Sequence, residues 1–283
     1  MKFTFIREHS TEFPILRMCR AFKVSRSGYY AWLKRPESQR SQEDRRLKVQ
    51  IRTIFKKNKE RYGSPRIYHA LRRSEPIGKN RVARLMHEDG LMARSRRKFK
   101  ATTDSNHRHP VAPNLLNRQF DVSVPDTVWL GDITYIPTGE GWLYLAVLMD
   151  LASRRIVGWS MSDRIKSDLT IEAFDSAIRQ RRPKGGLVHH TDRGSQYACG
   201  DYQRVLKGHG IRCSMSRRGN CWDNAPMESF FRSLKVELIF GRRFDTRASA
   251  RQEIFDYIEI YYNQKRLHSS LGYLSPAEFE AAA

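Results

Sequence analysis

The sequence predicts an α/β core preceded by small, basic helical modules. Three observations lead there: an uneven partition of charge, a change of hydrophobic period near residue 125, and three acids spaced over two strands and a helix. Of the 283 residues, 52 are Lys or Arg and 30 are Asp or Glu, a net charge of +22. Residues 1–124 hold 30 of the cations and 11 of the acids, net +19, whereas residues 125–283 hold 22 and 19, net +3. A segment with nearly all the excess charge beside one close to neutral suggests that the first part grips a polyanion and the second acts on it. Charge alone fits an RNA-coating protein equally well. A 40% hydrophobic and 11% aromatic content excludes a wholly disordered basic tail. No apolar run reaches the roughly 18 residues of a membrane span. Met1–Ser10 has no apolar leader core, so secretion is not expected. Cys19, Cys199, Cys213 and Cys221 show neither a CxxC pair nor metal-ligand spacing, as expected of reduced thiols in a cytoplasmic protein.

The first 36 residues read as two short helices. Phe13, Leu16, Cys19 or Arg20, and Ala21-Phe22 mark one apolar face; Ser25 is placed to cap a second helix running to Lys34, and Pro36 stops it. This is either a helix-turn-helix or a helical hairpin that only packs. Leu47, Ile51, Ile54 and Phe55 then recur on one face of a longer basic helix. Ser64 as N-cap and Pro65 at the first helical position open another helix, with Ile67, Tyr68 and Leu71 inward. A third carries Val82, Leu85 and Met86 inward and Lys79, Arg81 and Arg84 outward, ending at Gly90. Those outward cations are candidate DNA contacts; the alternative is a solvated basic face. From Arg94 to Pro125 the periodicity fails, and the run Arg94, Arg96, Arg97, Lys98 and Lys100 reads as a linker tracking phosphates.

Past Asp126 the pattern turns to strands. Val128, Leu130, Asp132, Thr134 and Ile136 share one face and Trp129, Ile133 and Tyr135 the other, which puts Asp132 inside an apolar strand. A carboxylate there costs several kcal/mol unless a partner or cation neutralises it. Segments 143–151 and 155–161 are the next strands, followed by a helix from about Asp168 to Arg182. A strand ending at Asp192, a short helix over about 201–207, a fifth strand over 211–216 and a helix opened by Asp223-Asn224 complete the order. That helix buries Met227, Phe230, Phe231, Leu234 and Leu238, and it carries Glu228 with Lys235 two turns further on the same face. Two strand aspartates and a helix glutamate converging on one point would form an oxygen-only site suited to Mg²⁺ or Mn²⁺. Two such ions are a standard means of activating a hydroxyl and stabilising a leaving oxygen on phosphorus. Singly, each acid has a plainer reading: a buried ion pair, a turn residue, or a partner of Arg232.

Three segments carry a resemblance: Trp129-Leu-Gly-Asp132-Ile-Thr-Tyr-Ile136, His190-Thr-Asp192-Arg-Gly-Ser-Gln-Tyr197 and Asp223-Asn-Ala-Pro-Met-Glu228-Ser-Phe-Phe. With 35 residues between Asp192 and Glu228, and Lys235 seven beyond, they resemble the DDE core of retroviral integrases and insertion-sequence transposases. Ser25-Arg-Ser-Gly-Tyr-Tyr-Ala-Trp, Tyr62-Gly-Ser-Pro-Arg-Ile and the stretch from Tyr262-Asn263 through Arg266 and His268 to Pro276 are similar to the second-frame product of the "IS three" family. The resemblance spans essentially the whole chain. It implies an RNase H-like integrase core with a five-stranded mixed sheet over residues 125–283, C-terminal helices included. Before it would lie a helix-turn-helix-like segment (1–38), a helical DNA-binding domain (39–93) and a basic linker (94–124).

It further implies metal-dependent DNA cleavage and strand transfer, with Asp132, Asp192 and Glu228 holding two Mg²⁺ or Mn²⁺ ions and Lys235 neutralising a phosphate. The expected partners are terminal-repeat and target DNA, further copies of the chain on that DNA, and an upstream-frame partner or fusion segment, in a bacterial cytoplasm at the nucleoid. The alternative is a non-catalytic DNA-binding regulator of the fused enzyme. Arg193, Gln196, Arg217, Arg218 and Asn224 flank the expected site and are placed to hold phosphates. A mobile loop is expected over Ser216–Trp222. His190 is either a site residue or a packed strand histidine. Asn263, Arg266 and His268 serve strand docking, DNA contact or assembly.

Overall fold

The computed structural model describes residues 1–94 and 110–283. The chain divides into two compact units, Met1–Met92 and Ala93–Ala283. In the first unit, helices α1 (Lys2–Glu8), α2 (Ile15–Ala21) and α3 (Arg26–Lys34) close over Ile6, Met18, Cys19 and Tyr29. Helix α1 is an addition to the two helices expected: seven residues without a side-chain cap leave little periodic signal. Ser25 caps α3 by accepting the Gly28 N–H at 3.0 Å.

Helices α4 (Gln39–Lys57), α5 (Ser64–Arg72) and α6 (Lys79–Glu88) follow, with Leu47, Ile51, Phe55, Ile67, Leu71, Val82 and Leu85 buried between them. Gly63, not Ser64, is the N-cap of α5; Ser64 and Pro65 form its first turn. Arg81 and Arg84 do face outward, but their charge is already committed. Arg81 Nε donates to Asp44 Oδ1 and Arg84 Nη2 to Asp44 Oδ2, both at 2.7 Å. Lys79 sits over the Tyr68 ring at 5.6 Å. The acids of α4 thus neutralise part of the face read as basic.

The second unit holds one five-stranded sheet in the order β3-β2-β1-β4-β5. Strands β1 (Val128–Thr138), β2 (Gly141–Asp150) and β3 (Ile156–Ser162) form an antiparallel meander, while β4 (Val188–Thr191) runs parallel to β1 and β5 (Arg212–Met215) parallel to β4. Helix α7 (Ser167–Arg181) crosses from β3 to β4, and α8 (Ser195–Ala198) and α9 (Gly200–Gly208) cross from β4 to β5. Trp129, Val157, Phe174, Tyr197 and Tyr202 are buried in the core these helices close. At Gly158 an added Cβ would lie 2.4 Å from the Ala173 carbonyl oxygen, so the close approach of α7 to β3 requires glycine.

Beyond β5 come α10 (Ala225–Leu234), which continues into a π-helical turn over Lys235–Ile239, then α11 (Arg247–Phe255), which does the same over Asp256–Tyr262, and α12 (Pro276–Ala282). Asn263 docks this tail onto β3: its Oδ1 accepts the Ile156 N–H at 2.9 Å and its Nδ2 donates to the Ile156 carbonyl at 3.0 Å. Arg266 is buried against Glu237, Ser233 and His268. Of the three roles open for this motif, Asn263 takes strand docking.

The expected linker also departs from its reading. Residues 95–109, with Arg96, Arg97 and Lys98, lie outside the described residues. Residues 113–118, however, are bound to the sheet unit. Leu116 is buried, and the Leu115 N–H donates to Ser214 Oγ at 2.9 Å. An irregular docked segment has no hydrophobic period, which is why it reads as linker.

Two outcomes follow from this packing. Asn263→Ala strands the Ile156 N–H and C=O, and stability measured by urea unfolding should fall by about 1–3 kcal/mol for each group left unpaired. His189 is fully buried, its Nε2 bonded to the Tyr202 hydroxyl at 2.8 Å, and burial pushes its pKa down from 6.5 to about 3. Unfolding restores the ordinary value, so between pH 6.5 and about 3 the unfolded chain binds a proton that the folded chain refuses. This contribution is fully present above pH 6.5 and is lost as pH falls through that window. Urea midpoints should drop from pH 7.5 to 4.5; a flat profile would contradict the neutral buried ring.

Candidate active site

The site begins with a register. Strand β1 pairs with β4 as Val128 with Val188, Trp129 with His189 and Leu130 with His190, a constant offset of 60. The ladder stops there, two residues short of Asp132 inside β1 and of Asp192 just past β4. At Gly131 an added Cβ would lie 2.7 Å from His189 Cε1, so only glycine lets the strands run this close before they part. Past Thr191 the chain turns away, and Asp192 Oδ1 accepts the Gly194 N–H at 2.8 Å. Asp132 Oδ1 accepts the neighbouring Ile133 N–H at 2.7 Å.

Helix α10 brings Glu228 in its first turn. Burial drives the Asp132 carboxyl well above the ordinary carboxylate range, and the negative charges of Asp192 and Glu228 push it the same way. The Ile133 amide and Lys235 pull in the opposite direction without prevailing. Burial also raises Glu228. The structure therefore brings Asp132 within electrostatic reach of both other acids. Among the described residues, no three His, Cys, Asp or Glu side chains are gathered tightly enough to grip a metal ion as they stand.

Two orphaned polar atoms adjoin these acids. Asn224 Nδ2 donates to the Gly131 carbonyl at 3.3 Å, while its buried Oδ1 has no hydrogen-bond partner. The buried Tyr197 hydroxyl is likewise unpartnered, and it feels the charges of Asp132 and Asp192. Repelling carboxylates beside unsatisfied polar atoms form an oxygen-rich setting that a hydrated hard dication fits.

Lys235, the first residue of the π-helical turn, holds its ammonium 5.4 Å from the Tyr135 ring centroid. Burial lowers its pKa, against the raising effect of Tyr135 and Asp132. Arg193 Nε donates to the Ser216 carbonyl at 2.7 Å, tying the turn after Asp192 to the end of β5. Gln196 packs at Gly194 in the same turn. Arg218 is exposed. Arg217 is committed to Asp223, its Nη2 donating to Oδ1 at 2.7 Å. His190 is a packed histidine: Nδ1 bonds Ser214 Oγ at 2.8 Å, Nε2 bonds Ser216 Oγ at 3.1 Å, and burial lowers its pKa to about 4.

Asp223 does not open α10 as its place in the sequence suggests. It lies in a 3₁₀ turn, Cys221–Asn224, and the helix starts at Ala225 with no side-chain cap. Sequence reasoning did not single out Tyr135, Tyr197 or Arg118. Tyr197 stands there only as the last residue of the second motif, and Arg118 falls unnamed within the segment read as linker.

Comparison with known proteins agrees with this architecture. Residues 123–221 and 228–283 match models described as integrase core domain, and residues 41–99 match an HTH-like domain. The chain is 48% identical over 263 residues to an uncharacterized 31 kDa protein of insertion element IS600 from Shigella sonnei, covering 93% of this chain and 97% of that one. It is 46% identical over 284 residues to transposase InsF of insertion sequence IS3A from Escherichia coli strain K12, covering 99% and 98%. Among solved structures, a chain of the simian T-cell lymphotropic virus intasome is similar, with a TM-score of 0.47, 15% identity and coverage of 77% of this chain and 70% of that one. The HTLV-2 integrase catalytic core with magnesium, in its trimeric form, has a TM-score of 0.41 and 18% identity, covering 55% and 97%. With integrase-core matches over both parts of the sheet unit and close to half of all residues shared with InsF along nearly its whole length, the chain belongs to the IS3 family of insertion-sequence transposases.

Proposed function

We propose that this transposase cuts and joins DNA at the ends of its insertion sequence, with Asp132, Asp192 and Glu228 as catalytic carboxylates and ligands of two Mg²⁺ or Mn²⁺ ions. The observation that supports it most is the Asp132 carboxyl, two residues past the last β1–β4 pair, pushed up by burial and by the charges of Asp192 and Glu228. Bound dications supply polarisation of the attacking oxygen and stabilisation of the leaving one.

Asp132 stands on a strand paired with β2 along its length, so one carboxylate meets the scissile phosphate from a rigid support. Glu228 comes from the first turn of α10. Water is the first nucleophile: a P–O bond forms as the bond to the element's 3′ oxygen breaks, and that oxygen leaves as a 3′-hydroxyl. The hydroxyl then attacks a second phosphodiester in line, again exchanging one P–O bond for another. Lys235 neutralises the phosphate beside the reacting one, a task for a compact charge on a flexible stem. Arg193 and Arg218 carry further phosphate contacts, together with Lys79 of the helical unit. Arg81, Arg84 and Arg217 add less, since acids of the chain already engage them. The helical unit reads the terminal repeats, and copies of the chain assemble on DNA in the cytoplasm, with or without an upstream-frame segment.

Asp132→Asn, Asp192→Asn and Glu228→Gln should each reduce divalent-dependent nicking and strand joining to background while DNA binding persists. The losses should not add in double variants, because the acids act as a unit. Glu228→Gln joining strands at the wild-type rate would remove the assignment and leave the DNA-binding regulator. For Lys235→Ala, strand joining should weaken and the log–log salt slope of binding should fall by about 1, as for one lost phosphate contact. Lys235→Arg should retain much of the activity.

A further inference from the structure

We infer that Arg118 and Asp223 are positioning residues for the transposition chemistry, clamping the segment before the sheet to the turn that launches the Glu228 helix. This rests on the reading of Glu228 as a catalytic carboxylate. The Asp223 side chain is fully buried, yet it stays ionised; its pKa is depressed chiefly by the hydrogen bond from Arg217, with Arg118 adding to it. Its two oxygens accept five hydrogen bonds. Arg118 Nε donates to Oδ1 at 2.8 Å and Asn114 Nδ2 to Oδ2 at 3.0 Å. Arg217 supplies the rest, its backbone N–H and Nε to Oδ2 at 2.9 Å each and its Nη2 to Oδ1 at 2.7 Å.

The backbone of residues 113–118 is shaped for this contact. Asn117 and Arg118 both take positive φ, 43° and 62°, a strained conformation for residues with a Cβ. Such strain persists only where the surroundings over-determine it. The Asn117 N–H donates to Asn114 Oδ1 at 2.8 Å, and Arg118 Nη2 donates to Asn220 Oδ1 at 2.8 Å, so the guanidinium grips both ends of the turn. The same segment reaches the other side of the site. Ser214 Oγ accepts the Leu115 N–H and bonds His190, which precedes Asp192 by two residues.

The clamp acts on geometry that catalysis depends on. Asn224, next to Asp223, reaches the Gly131 carbonyl beside Asp132, and the helix carrying Glu228 starts one residue later. No side chain caps that helix, so its first turn is located by the residues before it. Arg118 therefore sets where Glu228 stands relative to Asp132 without touching DNA or metal. Its side chain is 44% exposed, so truncating it opens no core cavity.

The test compares Arg118→Ala, Arg118→Lys and Glu228→Gln in the full-length chain, using a terminal-repeat DNA duplex and Mg²⁺ or Mn²⁺. Arg118→Ala should lower the nicking kcat by on the order of tenfold to a hundredfold, as a small misplacement of a catalytic group does. It should also raise the Mg²⁺ concentration needed for half-maximal rate, while the DNA Kd stays at the wild-type value and the melting temperature falls by only a few degrees, since Arg217 and Asn114 still bond Asp223. Arg118→Lys should recover a large part of the rate. An unchanged kcat overturns the inference, and so does a loss fully accounted for by a smaller folded fraction at the assay temperature or by weaker DNA binding. Glu228→Gln separates the two readings: if it is active, the catalytic assignment fails whatever Arg118 does; if it is inactive and Arg118→Ala is normal, only the clamp fails.

Discussion

The parting of β1 and β4 beyond Leu130 and His190 is the constraint around which the site is built. It leaves Asp132 inside β1 and Asp192 just past β4, and the charges of Asp192 and Glu228 raise the Asp132 carboxyl further than burial alone does. Left in water the carboxylates would separate, and left in an apolar core they would take up protons. Strand pairing prevents the first outcome, because β1 is locked between β2 and β4 up to Leu130. Carboxylates crowded in this way are where the proposed cation and phosphate chemistry would be favourable. The glycine at 131 belongs to the same arrangement, since it lets β1 pass the His189 ring before the strands diverge.

Much of this could be read from the residues. The alternation around Asp132, the apolar run of β2 and the helical stripe beneath Glu228 each follow a simple period, and the sheet unit has the strands and main helices they indicate. Spacing alone also placed Lys235 on the face of Glu228, and its ammonium lies close enough to Asp132 to feel that charge. The parallel register was not legible, because β4 pairs through only three residues of β1 and nothing local marks which three. Helix α1 escaped for lack of length and cap. The segment 113–118 escaped because docked irregular backbone and solvated linker look alike in composition.

Charge marked the helical unit but not which of its arginines are engaged, and for a clear reason. A sequence sum treats every arginine as available, but availability is decided by neighbours distant in the chain. Arg81 and Arg84 meet Asp44 across 37 and 40 residues, and Arg118 meets Asp223 across 105. The first pairs hold two helices together and the last holds the clamp. The cations that remain for a polyanion are a subset of those that can be counted.

Asn263 has a consequence beyond docking. β3 is one of the two outer strands of the sheet, and an outer strand exposes amides and carbonyls that can recruit a strand from another molecule. The Asn263 carboxamide offers Ile156 one donor and one acceptor in the arrangement a neighbouring peptide unit would present. It thus behaves as a one-residue counterfeit strand, ending the sheet where it would otherwise invite extension. Together with the tail that carries it, this side chain steers the molecule away from edge-to-edge stacking, at the cost of a single buried amide.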